Sequence, residues 1–155
     1  MTTFRLDATA GAGTHVFLIG VGHYPHLKNG GGKQVKGQAQ LGQLTSPPNT
    51  AHELLKWFDT ELNNPEAPLK SVEVLISGAV PLVFEDADGL TQEVEGVTLN
   101  KVKVAAEAWF DRLDTDENNI GVFYFCGHGL GDGYTTQLLL SDYGKSAIAL
   151  ENAIH

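Results

Sequence analysis

One imidazole in this chain sits between two glycines at the end of an apolar run, in Phe123-Tyr-Phe-Cys-Gly-His-Gly129. Histidine titrates near neutrality, so it can take a proton in one step and return it in the next. Gly127 would let a substrate chain pass close to the ring. Gly129 leaves its amide accessible, as a donor to a developing oxyanion must be. His128 is therefore the candidate general base, and the Gly129 amide the candidate oxyanion donor.

Cys126 is the sole thiol and lies two residues from His128. On a rigid strand those two positions share a face but stand about 7 Å apart, too far for a nucleophile–base hydrogen bond without a bulge. Free cysteine is also a habitual core residue, so Cys126 reads as packing beneath the histidine. His23 and His26 could line a specificity pocket or furnish polar cover. His15 and His52 suggest no role, and Asp132 and Asp142 are either substrate-facing acids or ordinary surface carboxylates. The histidines are too dispersed to suggest a metal site, and no cofactor is implied.

Three near-motifs fail. Gly30-Gly-Gly-Lys33-Gln34 lacks the spacing and the Ser or Thr of a phosphate-binding loop. The glycines from Gly127 to Gly133 fall at every second position, unlike a dinucleotide fingerprint. Asp114–Asn118 begins like a calcium loop, but the sixth position is Asn119 and the twelfth Phe125.

The elements that must position His128 follow from hydrophobic patterning. Residues 1–13 read as a flexible, lightly tethered arm, and 14–155 as one domain. His15–Val21 is a buried strand, and Gly22–Pro48, with six glycines, a long loop. Thr50-Ala-His-Glu53 has the capping-box pattern, opening a helix with Ala51, Leu54, Leu55, Phe58 and Leu62 on one stripe. Pro65 and Pro68 close that region, and Val72–Ile76 forms the second strand.

Val80–Phe84 and Thr91–Val97 flank an Asp-Gly turn, predicting a small hairpin inserted at the edge of the main layer. Leu99, Val102, Ala106, Phe110 and Leu113 mark a second helix, and Asp114–Asn119 a solvated turn. The Ile120 strand follows, read as buried on both faces over Val122–Phe125. Gln137–Leu140 is a further short strand, and Lys145–His155 begins a helical pattern. Strand, helix, strand, helix, strand predicts an α/β fold with a mainly parallel sheet flanked by helices. Gly20–His26, Ser77-Gly78 and Cys126–Gly133 should then share the carboxyl edge, where open sheets place their sites.

Composition narrows the functions. The formal charge is −9 with scattered Lys and Arg, which argues against a nucleic-acid partner. No apolar stretch approaches the roughly 20 residues of a bilayer span, and the N-terminus lacks a signal-peptide core. One cysteine rules out an internal disulfide framework. A cytoplasmic protein without membrane association is expected.

Phe123–Gly129 resembles the histidine motif of caspase-like cysteine peptidases. Val16-Phe-Leu-Ile-Gly-Val-Gly-His-Tyr-Pro25 resembles the first core strand of that superfamily and the loop after it. Leu138-Leu-Leu-Ser-Asp142 resembles the short strand beyond the Gly-His-Gly loop in bacterial and CHAT-type members. The resemblance implies that His128 is the catalytic base and that Gly129 contributes to the oxyanion hole. It also implies a nucleophilic cysteine at the end of the next core strand, which does not occur before His155. Ala147–Ile154 looks like the start of a crossover helix leading there.

The expectation is thus the histidine-bearing part of a caspase-like endopeptidase. A companion polypeptide or further segment would carry the catalytic Cys and the remaining strands of the sheet. Protein would be the substrate, in a regulated proteolytic or defence cascade. Arg5 and Arg112 do not match the arginine of the aspartate-specific branch, and the acidic chain better suits a basic substrate residue. The rival expectation is a non-catalytic caspase-fold interaction module.

Overall fold

A computed structural model describes residues 3–34, 41–85, 91–131, 133–146 and 152–154. In chain order the elements are β1 (Thr3–Leu6), β2 (Thr14–Val21), α1 (Ser46–Thr60), β3 (Leu69–Ser77), β4 (Val83–Glu85), β5 (Thr91–Glu93), α2 (Leu99–Leu113), β6 (Ile120–Cys126), β7 (Gly129–Gly131), β8 (Thr136–Leu139) and β9 (Ala153–Ile154). The fold is α/β. Its main sheet has the order β1-β3-β2-β6, with β3, β2 and β6 parallel and β1 antiparallel.

All eight residues of β2 are buried, because the strand is central and both its faces are covered. Alternation sends Val16 and Leu18 into a core with Ala51 and Leu55 of α1. Phe17, Ile19 and Val21 enter the opposite core with Val102, Ala105 and Trp109 of α2. The two helices lie on opposite faces for a topological reason. The chain steps from β2 outward to β3, then back across β2 to β6. Two right-handed crossovers in opposite directions must use opposite faces. The chain therefore reverses direction beside the carboxyl end of β2, where α/β sheets open a crevice.

Several expectations are corrected. The polar segment 1–13 contributes an edge strand, because Thr3 donates to Glu73 at 2.8 Å and β1 pairs along β3. α1 opens at Ser46, four residues ahead of the apparent capping box. Prolines occupy its first turn, where the missing N–H has no partner to lose. The Thr50 hydroxyl instead donates back to the Ser46 carbonyl at 3.0 Å. On α2, Trp109 is inward and Phe110 is exposed, because Trp109 Nε1 donates to the His15 carbonyl at 2.9 Å.

The β6 strand is not buried on both faces. Among the described residues it pairs only with β2, and Ile120 and Phe123 are 41% and 47% exposed, so the strand forms one margin of the sheet there. The predicted hairpin is present as a separate two-stranded sheet of β4 and β5, with Phe84 against Phe4 of β1. Its Asp-Gly turn lies outside the described residues. Gly129–Gly131 is a strand rather than a loose loop, pairing with β8, which in turn pairs with β9. Ala153–Ile154 is therefore extended, not helical. The rest of that expected helix, 147–151, is outside the described residues. Among the described residues no helix is long and apolar enough to cross a membrane.

Candidate active site

The carboxyl ends of β2, β3 and β6 do share one edge, and the chain is bonded across it. The amides of Gly22 and His23 both donate to the Ser77 carbonyl, at 2.7 and 2.9 Å. Next to them, the ring of Tyr24 lies 5.0 Å from that of His128. The carboxyl edge of β2 and β6 thus carries the candidate base.

His128 is half-buried, and its Nε2 lies 2.8 Å from the Gly42 carbonyl. A carbonyl can only accept, so Nε2 carries the hydrogen. In the neutral ring Nδ1 then holds the lone pair, and among the described residues nothing bonds to it. The ring is fixed at one nitrogen and available at the other. That is the arrangement a general base requires.

The backbone of His128 is held as firmly. Leu139 N–H donates to the His128 carbonyl at 2.9 Å. The reciprocal ladder bond is absent, because the Tyr24 hydroxyl is inserted into it. That hydroxyl accepts from His128 N–H at 2.8 Å and donates to the Leu139 carbonyl at 3.3 Å. Tyr24 is fully buried, and burial, the chief cause, pushes its phenol well above the ordinary range. It remains a hydroxyl at any working pH. Gly127 has to be glycine here, since a Cβ would stand 2.7 Å from the Tyr24 oxygen.

The antiparallel ladder also decides where the Gly129 amide points. Bonded and non-bonded pairs alternate, and His128 with Leu139 occupies a bonded position. Gly129 opposite Leu138 is then a non-bonded pair, so its N–H faces away from β8. Gly129 is exposed. Among the described residues, the amide and Nδ1 are therefore both unbonded at the same turn.

Cys126 lies on the side of β6 shared with Val122 and Tyr124, which pack with the α1-side core. Burial raises the Tyr124 phenol, and the adjacent Cys126 thiol adds to the effect. The His128 ring instead rests on Tyr24, a member of the α2-side core. Cys126 is half-buried rather than a full core residue.

The other histidines separate cleanly. His23 lines a hollow of about 320 Å³ at the same edge with Ser77, Glu93 and Ser141. His26 Nδ1 lies 3.1 Å from the Lys33 carbonyl, tying its own loop. His15 is buried at the opposite edge with Nδ1 2.8 Å from the Ser71 hydroxyl. There it borders a cavity of about 350 Å³ with Lys70 and Arg112, remote from the carboxyl ends of the strands. His52, on α1, is 3.8 Å from the Glu53 carboxylate. Arg112 is committed to Glu73 at 2.5 Å and Arg5 to Asp59 at 2.9 Å, both away from the crevice. Asp142 Oδ2 accepts from Leu99 N–H at 3.4 Å, at the start of α2. Asp132 lies outside the described residues. No group of three or more His, Cys, Asp or Glu side chains able to hold a metal occurs among the described residues.

Sequence reading named His128 and Gly129, and the structure adds Gly42 and Tyr24 as the groups that hold His128. Gly42 acts through a carbonyl that every residue possesses, so no residue-type signal existed. Tyr24 could have been suspected from its place just past the first buried strand.

No family model matches this chain, and no solved structure matches it. An uncharacterized protein, y4kE of Sinorhizobium fredii (strain NBRC 101917 / NGR234), is 35% identical over 94 residues. That alignment covers 59% of this chain and 26% of the relative, so the chain spans about a quarter of that protein's length.

Proposed function

We propose that this chain is the histidine-bearing part of a caspase-like cysteine endopeptidase, with the nucleophilic thiol supplied from outside residues 1–155. One observation carries the reading: His128 is bonded at Nε2 to a backbone carbonyl and, among the described residues, unbonded at Nδ1, beside an outward Gly129 amide. In the assembled site Nδ1 accepts the thiol proton. The thiolate attacks the scissile carbonyl, forming the C–S bond and placing negative charge on the carbonyl oxygen, which the Gly129 amide stabilises. Collapse of that intermediate breaks the C–N bond, and His128 returns the proton to the leaving amine. Water then cleaves the thioester, with the same ring as base. The Gly42 carbonyl stabilises the imidazolium formed at each stage, because it accepts from Nε2–H in both protonation states.

The open margin of β6 supports a further strand being laid there, completing the sheet and delivering the cysteine beside His128. A protein substrate in a proteolytic or defence cascade is part of the same proposal. A second reading, a caspase-fold interaction module without catalysis, is favoured by the placement of Cys126 on the α1 side of β6, next to Tyr124. Peptide hydrolysis by the natural full-length protein separates the two. His128→Ala should lower kcat by about 10²- to 10⁴-fold while the circular dichroism spectrum is unchanged. Full turnover in that variant would refute the role of His128. A wild-type protein with no cysteine labelled by thiol-directed peptide probes would favour the interaction module.

A further inference from the structure

We propose that Gln43 is a positioning residue for His128: its carboxamide clamps the backbone of Tyr24 and thereby sets the Gly42 carbonyl against the imidazole. The inference rests on the reading of His128 as the proton carrier of the site.

Three hydrogen bonds make the clamp. Tyr24 N–H donates to Gln43 Oε1 at 2.8 Å. Gln43 Nε2 donates to the Tyr24 carbonyl at 3.0 Å and to the Lys28 carbonyl at 2.9 Å. Only an oxygen can receive the first bond and only a nitrogen can make the other two, so the amide has one orientation. Gly42 is the adjacent residue. On its far side Leu41 accepts from Lys28 N–H at 3.1 Å, and beyond Gln43 the Leu44 N–H donates to the Gly22 carbonyl at 2.8 Å. The Gly42 carbonyl is thus carried on a short segment registered to Gly22–Lys28 at several points.

Tyr24 joins the two halves of the arrangement. Its backbone is gripped by Gln43, and its hydroxyl grips the His128 amide. The acceptor loop and the histidine are therefore referred to the same rigid, fully buried residue. Such a reference is needed because a backbone carbonyl has no side chain with which to find its partner. A small drift of the Gly42 loop would break the Nε2 bond, release the ring to rotate and allow the proton to occupy either nitrogen. Glycine at 42 is not what fixes this geometry, since a Cβ there would meet nothing closer than the Lys28 carbonyl at 3.8 Å. The constraint comes from the neighbouring carboxamide.

Nitrogen-15 NMR of the His128 ring in this chain provides the test. The wild type should show one tautomer, protonated at Nε2, with a slowly exchanging Nε2–H. In Gln43→Ala that proton signal should be lost to solvent exchange, and the ring nitrogens should move toward the averaged positions of a mobile imidazole. The Leu139 amide, bonded to the His128 carbonyl, should stay protected and report an intact turn. An unchanged Nε2–H signal in folded Gln43→Ala would overturn the proposal. Gln43→Glu keeps the acceptor for Tyr24 N–H and loses both donors, so its signal should weaken without vanishing. Should the alanine variant fail to fold, an unchanged signal in Gln43→Glu overturns the proposal equally. In the natural full-length protein Gln43→Ala should lower kcat by about tenfold with little change in KM. If the NMR signature changes but no peptide is hydrolysed, the clamp stands and the peptidase reading falls.

Discussion

At the scale of single residues, the same side-chain type serves opposite ends at the two edges of the sheet. His128 is held at one nitrogen and, among the described residues, unbonded at the other. His15 is sealed in the core beside Ser71, and burial is the main cause of its lowered pKa. The Arg112 and Lys70 charges lower it further, while the Asn119 side chain works the other way. The sign of the consequence follows from linkage. Above the ordinary histidine pKa of about 6.5 the ring is neutral whether the chain is folded or not, and it contributes no pH dependence. As pH falls below that value the unfolded chain binds a proton that the folded chain refuses, so stability declines toward the depressed folded pKa. The unfolding free energy from urea titrations should drop between pH 7.5 and pH 5.5, by up to about 1.4 kcal/mol per pH unit for this group once pH is below about 6.5. His15→Asn should flatten the decline. A wild-type stability that is constant or rising toward acid pH would contradict the assignment. Of these two roles, sequence exposed only the candidate base. Gly-His-Gly is a local signal, whereas the burial of His15 depends on which helix covers it.

At the scale of elements, close approach decides more than propensity. A glycine inside a strand ordinarily weakens it, so replacing it with alanine would be expected to help. Gly20 is the opposite case, because the first turn of α1 crosses directly above it. A Cβ there would stand 2.6 Å from the Pro47 carbonyl and 2.8 Å from the Ala51 methyl. Gly20→Ala should therefore cost about 1–3 kcal/mol in chemical denaturation, as overpacking does. A neutral or stabilised variant would mean that α1 does not sit this close to β2. The same contact explains why the capping-box pattern misled. The helix must begin early enough to lay Pro47 and Pro48 over the strand, and both prolines are buried. The identities of β2, β3 and β6 were readable because continuous apolar runs have one explanation in an alternating α/β chain, whereas β1, β7 and β9 carry no such run. The start of α1 and the inward turn of Trp109 were not readable, because they answer to the partner element.

At the scale of the whole molecule, the sheet is asymmetric. One margin is closed by β1 and its hairpin neighbour, while the other ends at β6. Exposed Phe123 extends an aromatic cluster with Phe17 and Trp109 at 5.7 and 6.4 Å, and Phe110 lies 5.0 Å from Trp109. In a parallel strand, alternate amides face opposite neighbours. Hydrogen exchange should accordingly alternate along β6, protected where the amide faces β2 and fast where it faces outward, with β2 protected throughout. If a further strand is laid against β6, as proposed, the outward set should slow. Uniform protection of β6 in this chain alone would show that its margin is already covered.

Sequence alone determined the order of the three parallel strands and two helices of the main layer, the sharing of one edge by those strand ends, and His128 as the residue to examine. Those conclusions rest on periodicity and on residue type, both of which are written locally. Tertiary structure decided the rest. It selected the protonated nitrogen of His128 through the carbonyl of Gly42, 86 residues away in the chain. It placed the Tyr24 hydroxyl inside a ladder bond and turned the Gly129 amide outward. Backbone carbonyls and amides carry no sequence signature, so their part in a site exists only once the chain has folded around them.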